Sequence, residues 1–183
     1  MRKIVAGLFI SLDGVYESPD KWHFPYFNDE MGEAVDSKMA AADTMLLGRV
    51  TYQEFAGFWP NQSNDDIDIA DYMNNTPKVV VSTTLDTVEW QNSTLITSNV
   101  VEEITKLKQQ PGKNIGITGS GALIRSLLRD GLLDELNLLV HPIVVGNGKR
   151  LFPDGTDQQG LQLVDAKTFS TGVLNLTYQP ASK

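Results

Sequence analysis

The sequence predicts an α/β protein built on a mixed sheet, parallel over most of its width and antiparallel at its C-terminal end. Two observations carry that prediction. Short apolar runs rich in β-branched residues alternate with segments of helical spacing as far as Arg129, and the chain then closes on strands with no helix between them. The first run, Lys3 to Ile10, is apolar without a helical stripe, which suits a strand covered on both faces.

Taken in order, that first strand stops at the turn-prone pair Asp13-Gly14. A loop holding Trp22, Phe24, Tyr26 and Phe27 follows. Met31, Ala34, Val35, Lys38 and Met39 then recur near helical spacing and predict a helix over Glu30 to Ala42, with Asn28 and Asp29 placed to cap its start. Thr44 to Gly48 reads as a buried strand that turns directly into a helix at Gly48-Arg49. The polar, acidic stretch from Asn61 to Asp68 is a surface loop before a short helix from Ile69 to Asn74. Pro77-Lys78 introduces a strand at Val79 to Val81, and Thr94 to Thr97 is another. A helix from Val100 to Gln109 follows, which Asn99 and Glu102 are placed to cap reciprocally. Asn114 to Thr118 is a strand, and Gly119-Ser120-Gly121 turns it into the helix from Ala122 to Arg129, ended by Gly131. Glu135 to Val145 reads as one long strand with Pro142 marking an edge, bend or bulge. The final strands, Leu161 to Phe169 and Val173 to Gln179, form a hairpin across Ser170-Thr171-Gly172.

Composition narrows the chemistry. At 183 residues and 41% hydrophobic, residues 1–183 are expected to form one domain with an ample core. Without cysteine there is no disulfide, thiolate metal site or thiol nucleophile, and with two histidines, His23 and His141, no metal site is expected. A net charge of −8 with no dense basic stretch argues against nucleic acid as a partner. The first apolar run is too short for a membrane span and wrongly flanked for a signal peptide, so a cytoplasmic protein with no membrane partner is expected.

Carboxylates, hydroxyls, backbone groups or a borrowed cofactor remain to do the work. The turns at Gly48-Arg49 and Gly119-Ser120-Gly121 would present free N–H groups and helix N-termini toward one rim of the sheet, where phosphates settle. Glycine at 119 and 121 would let the backbone approach a pyrophosphate; the same glycines also suit plain tight turns. Ser82, Thr83 and Thr84 offer hydroxyls at a third strand end, or cap a turn there. Asp13 is a polar group for the site or a turn residue before Gly14. Asp29, Glu30 and Glu33 lie near the first helix start, where acids also simply favour the helix dipole. A carboxylate in a cleft rimmed by Trp22, Phe24 and Phe27 would have a raised pKa and serve as a general acid. His141 reads as a hydrogen-bonded structural histidine, and His23, in the aromatic loop, as a surface residue or else a substrate contact.

Five segments in order extend over nearly the whole chain: Ser11-Leu12-Asp13-Gly14, Leu47 to Tyr52, Pro77 to Ser82, Gly119 to Ile124, and Gly131 to Leu136 continuing through Pro142 to Gly148 and Leu151-Phe152. In them the chain resembles the family that joins dihydrofolate reductase to the C-terminal reductase domain of bacterial riboflavin biosynthesis. The resemblance implies a three-layer α/β/α dihydrofolate-reductase-like fold and an NADPH-dependent reductase acting on a pterin- or pyrimidine-like heterocycle. A non-catalytic dinucleotide-binding protein of the same fold is the other reading. It also implies that Gly48, Arg49 and Thr51 hold phosphates, that Ser82 and Thr83 lie near the adenosine and its 2′-phosphate, and that Gly119, Ser120, Gly121, Ala122 and Leu123 cradle the pyrophosphate. Leu12, Asp13 and Gly14 would border the nicotinamide, and Trp22, Phe24 and Phe27 would cover the substrate, with a proton supplied by Asp13, Asp29 or water. Because family members often dimerise, a homodimer through the strand from Glu135 and the C-terminal hairpin is expected. Two departures stand out. Dihydrofolate reductases usually place two glycines together where Ser120 separates Gly119 and Gly121. The basic segment that riboflavin reductases use for a phosphorylated substrate reads Ser37-Lys38-Met39-Ala40-Ala41, with Lys38 a partial substitute.

Overall fold

The computed structural model describes residues 1–182. Its elements in chain order are strand β1 (Ile4–Ser11), helix α1 (Asp29–Ala41), β2 (Ala42–Gly48), α2 (Arg49–Phe58), α3 (Ala70–Asn75), β3 (Lys78–Val81) and β4 (Ser93–Ile96), followed by α4 (Val100–Gln109), β5 (Asn114–Ile117), α5 (Gly121–Arg129), β6 (Glu135–His141), β7 (Leu161–Thr168) and β8 (Leu174–Pro180). The strands form one sheet in the order β4-β3-β2-β5-β1-β6-β8-β7. Neighbours from β4 to β6 are parallel, and β8 runs antiparallel to both β6 and β7, as the order of apolar runs predicts.

Alternation along the strands builds the layers. Ile4, Ala6, Leu8 and Ile10 of β1 pack with Leu46 of β2, Ile104 of α4, and Leu123, Ile124, Leu127 and Leu128 of α5. On the opposite face, Met45 and Leu47 of β2 pack with Tyr52 of α2 and Met73 of α3, while Phe9 packs with Met31, Ala34 and Val35 of α1. Helices therefore cover both faces, and each buried Ile or Leu contributes on the order of 2 kcal/mol to holding the layers together. No helix among the described residues is long and apolar enough to cross a membrane.

Three boundaries and one cap differ from the sequence expectation for reasons the local contacts show. Asn28 Oδ1 accepts from Met31 N (3.0 Å), so α1 starts at Asp29, and it ends at Ala41 because Ala42 is already extended and opens β2. Asn99 lies in the left-handed region (φ 51) with no side-chain cap, so the expected reciprocal cap with Glu102 does not form. Glu102 instead pairs with Lys106 at 2.7 Å. The long strand expected to reach Val145 stops at His141: Pro142 brings no N–H, and the N–H groups of Val145 and Gly146 are taken by the Asp13 carboxylate (3.0 and 2.8 Å) rather than by a ladder.

Candidate functional site

Parallel pairing brings the C-terminal ends of β1, β2, β3, β5 and β6 to one rim, and α2 and α5 begin there within a few residues of β2 and β5. The two turns touch, since Gly48 N–H donates to the Gly119 carbonyl (3.3 Å). The Gly119–Ser120 peptide is cis.

Each glycine of these turns has its missing side chain replaced by a neighbour's. A methyl at Gly48 would stand 3.0 Å from Ser120 Cβ and closer still to its hydroxyl. At Gly119 it would meet the Thr51 side chain, with Cγ2 at 3.3 Å, and at Gly121 it would lie 2.7 Å from the ring and hydroxyl of Tyr16. Tyr16 Oη also accepts from Gly121 N–H (3.2 Å), and Ser120 Oγ caps α5 by accepting from Leu123 N–H (3.3 Å). The chain's own Thr51 and Tyr16 fill the spaces beside Gly119 and Gly121, so packing alone requires glycine at both positions, and the Gly121 N–H is already engaged by Tyr16. Leu123 contributes a core side chain rather than a rim contact, while Ala122 is exposed.

The start of α2 is more open. Gly48 supplies no side-chain cap, and the side chain of Arg49, exposed at the first helical position, donates among the described residues only to the neutral side chain of Gln53 (2.9 Å). First-turn N–H groups beside an unneutralised guanidinium make a donor set suited to a phosphate. Thr51 is half-buried, one turn in. Across the rim, Ser82 Oγ is buried and accepts from Thr84 N–H and Leu85 N–H (3.2 and 3.1 Å), which is the turn-capping role; Thr83 is exposed. Leu12 is 62% exposed at the end of β1, next to Gly14 at φ 82, where a glycine is required.

The expected acids are not poised to give a proton. Asp13 accepts from Ser11 Oγ (2.6 Å), Val145 N–H and Gly146 N–H, and these bonds hold its pKa down at about 2. It is ionised at neutral pH, and it straps the segment after β6 to the end of β1, with Arg150 Nε bonded to its carbonyl (3.0 Å). Asp29 is exposed at the first turn of α1, where its charge suits the helix dipole. Glu30 accepts from Ser170 N–H (2.8 Å), which lowers its pKa and ties α1 to the C-terminal hairpin. Lys38 lies in the last turn of α1, at the end away from the rim, half-buried with its stem beneath Gly7. It is not a substitute for a substrate-binding base.

Trp22 is 7% exposed, its Nε1–H donating to the Glu17 carbonyl (3.1 Å), so it belongs to the packing and not to a lid. Phe24 and Phe27 are exposed, at 64% and 51%. His23, expected at the surface, is buried and stacked on Phe9 with ring centres 4.5 Å apart. His141 is fully buried, donating from Nδ1 to the Leu139 carbonyl (2.8 Å), as a structural histidine should. Sequence reasoning missed Tyr16. The signal that could have found it is a buried glycine opening a helix, which implies that something fills the space.

Residues 2–175 match the RibD C-terminal domain. The chain belongs to that family. The RibD C-terminal relatives include the uncharacterized protein YyaP of Bacillus subtilis (strain 168), 32% identical over 180 residues that cover 97% of this chain and 94% of YyaP. A Shewanella sp. PV-4 protein named for riboflavin biosynthesis superposes with a TM-score of 0.79 at 20% identity, covering 98% of this chain and 99% of that one. Enterococcus faecalis dihydrofolate reductase, complexed with NADP(H) and RAB-propyl, gives 0.66 at 17% identity over 98% and 97%. The dihydrofolate-reductase-like fold of this RibD C-terminal domain is thus independent of close sequence likeness.

Proposed function

We propose that this chain is an NADPH-dependent reductase that passes a hydride to a small pterin- or pyrimidine-like heterocycle. The observation that carries the reading is the open start of α2, with Arg49 beside uncapped N–H groups on the rim where an open parallel sheet takes its ligands. Family membership and the NADP(H) held by the similar E. faecalis enzyme support it.

The donor set fits a phosphate at α2. At α5 it fits only once Tyr16 yields the Gly121 N–H. Arg49 and Thr51 would hold a phosphate, Ser82 and Thr83 would flank the adenosine end, and Gly119 to Gly121 would take the pyrophosphate. Leu12, with the Gly14 turn, would border the nicotinamide. NADPH, when bound, supplies the hydride. The chain's part is to fix orientation and exclude water beneath Phe24 and Phe27. With Asp13 ionised and Asp29 out in solvent, the proton comes from water.

That same lack of a poised acid favours a second reading, a dinucleotide-binding protein without turnover. The two are separated by following NADPH absorbance while pterins, folates and pyrimidines are offered in turn. Consumption of NADPH that depends on one of them supports the reductase. Saturable binding with no consumption by any member of the panel supports the second reading.

A further inference from the structure

Outside the cofactor rim lies a cluster that the proposed function does not use. His23 and His141 are the chain's only histidines, both at least nine-tenths buried, with ring centres 6.0 Å apart. His141 stands at the end of β6, paired in register with Ser11, and His23 belongs to the segment that leads into α1. Around them are rings: Phe9 stacks on His23, Phe24 lies tilted at 4.3 Å from it, and Trp22 and Tyr26 meet His141 edge-on at 5.2 and 5.7 Å. His23 Nδ1 and His141 Nε2 are buried with no hydrogen-bond partner among the described residues. With Nδ1 of His141 donating to the Leu139 carbonyl, the lone pair of the neutral ring falls on Nε2, and burial favours that neutral form.

We propose that His23 and His141 form a pH-sensitive latch that holds the aromatic segment 22–27 against the sheet while both rings are neutral and releases it in mild acid. The geometry leaves no counter-charge for two imidazolium rings. From the sheet, His141 faces only the carbonyls of Leu139 and Ile10 and the ring of Phe9. From α1, Met31, Ala34 and Val35 join Phe9 and Tyr26, the rings that flank the histidines, in one apolar cluster, while Glu30 is turned to Ser170 and Lys167. From the segment itself, Tyr26 offers its ring, and Asp20, exposed to solvent, is among the described residues the one carboxylate that acts on His23. Burial lowers the pKa of both rings, and each positive charge opposes the other at His23. The sign follows: with folded pKa values below the ordinary 6.5, the docked segment keeps its full stability above that value. It loses that stability as the pH falls from there through the depressed values. Release would bare the end of β6 and unseat Phe24 and Phe27 at the candidate substrate edge.

Two measurements on the whole protein test this together: NMR titration of the two histidine Cε1–H signals, and amide hydrogen exchange of residues 20–27 corrected for intrinsic rate. The latch predicts that both histidines titrate below the ordinary range and that protection of 20–27 falls about tenfold or more with the same midpoint. In His23→Phe, which keeps a ring and removes a charge, the acid loss should shrink to within about twofold. Histidines that titrate at the ordinary value, protection that does not change with their titration, or an undiminished acid loss in both His23→Phe and His141→Phe would each overturn it. If a variant does not fold, the wild-type pair of measurements still decides.

Discussion

Tyr16 lies on Gly121, its hydroxyl accepting the first N–H of α5 at 3.2 Å and its ring filling the space a side chain would need. The two residues are 105 positions apart, and on the proposed function their contact competes with the dinucleotide for the Gly121 N–H. Tyr16→Phe removes the competing acceptor and leaves the ring. Since one neutral hydrogen bond is worth about 0.5–1.5 kcal/mol net, NADPH should bind roughly 2- to 10-fold more tightly to this variant in a fluorescence titration. Weaker binding would mean that the hydroxyl helps to hold the dinucleotide.

Gly121→Ala asks the opposite question. Its methyl would stand 2.7 Å from the Tyr16 ring, so the ring must leave or the helix must shift. Overpacking of this kind costs about 1–3 kcal/mol, to be read from denaturant midpoints. The double variant with Tyr16→Ala should recover most of that loss, since the cause of the clash is gone.

Asp13 should show itself in acid. Its carboxylate, held at about pKa 2, stabilises the fold above the unfolded value of 3.8, and that contribution is lost as the pH falls from there through about 2. Asp13→Asn should loosen the Val145 and Gly146 amides in hydrogen exchange already at neutral pH, because a carboxylate oxygen is replaced at one of the two bonds. If an acid were needed from this residue, the variant would also abolish turnover of any substrate found; the prediction is that turnover survives.

A second buried anchor lies away from the rim. Lys78, 1% exposed, donates from Nζ to the carbonyls of Asn74 (3.0 Å), Thr76 (2.8 Å) and Gln91 (3.2 Å) and lies 4.0 Å above the Trp90 ring. It fastens the end of α3 to the turn before β4. Lys78→Met keeps the stem but takes the ammonium donor from the Thr76 and Gln91 carbonyls, while that of Asn74 keeps the Gln91 and Asn92 amides, which should cost about 2–4 kcal/mol in equilibrium unfolding while leaving NADPH affinity within about twofold.

The layers and most element boundaries were legible in the sequence because they depend on local periodicity and on the order in which runs occur. Lys3 to Ile10, Val79 to Val81 and the closing hairpin are cases where apolar character and turn residues suffice. The boundaries that moved depend on distant partners: nothing near Val145 says that its N–H will be claimed by Asp13, 132 positions earlier. The rim was legible as two glycine turns, but not what fills them. Thr51 was named for a phosphate and Tyr16 not at all, though both pack on glycines of the turn before α5. The burial of Trp22 and His23 was hidden for the same reason, since an aromatic-rich loop has no period from which to read an inward face.

The central claim is a dinucleotide site at the open start of α2, and titration of wild-type protein and Arg49→Ala with NADPH, followed by tryptophan emission, tests it most directly. The account predicts saturable binding to wild type, weakened roughly 10- to 100-fold in Arg49→Ala by loss of a charge-assisted phosphate contact, with folding stability unchanged because Arg49 is exposed. Absence of saturable binding, or equal affinity in the two proteins, would contradict it.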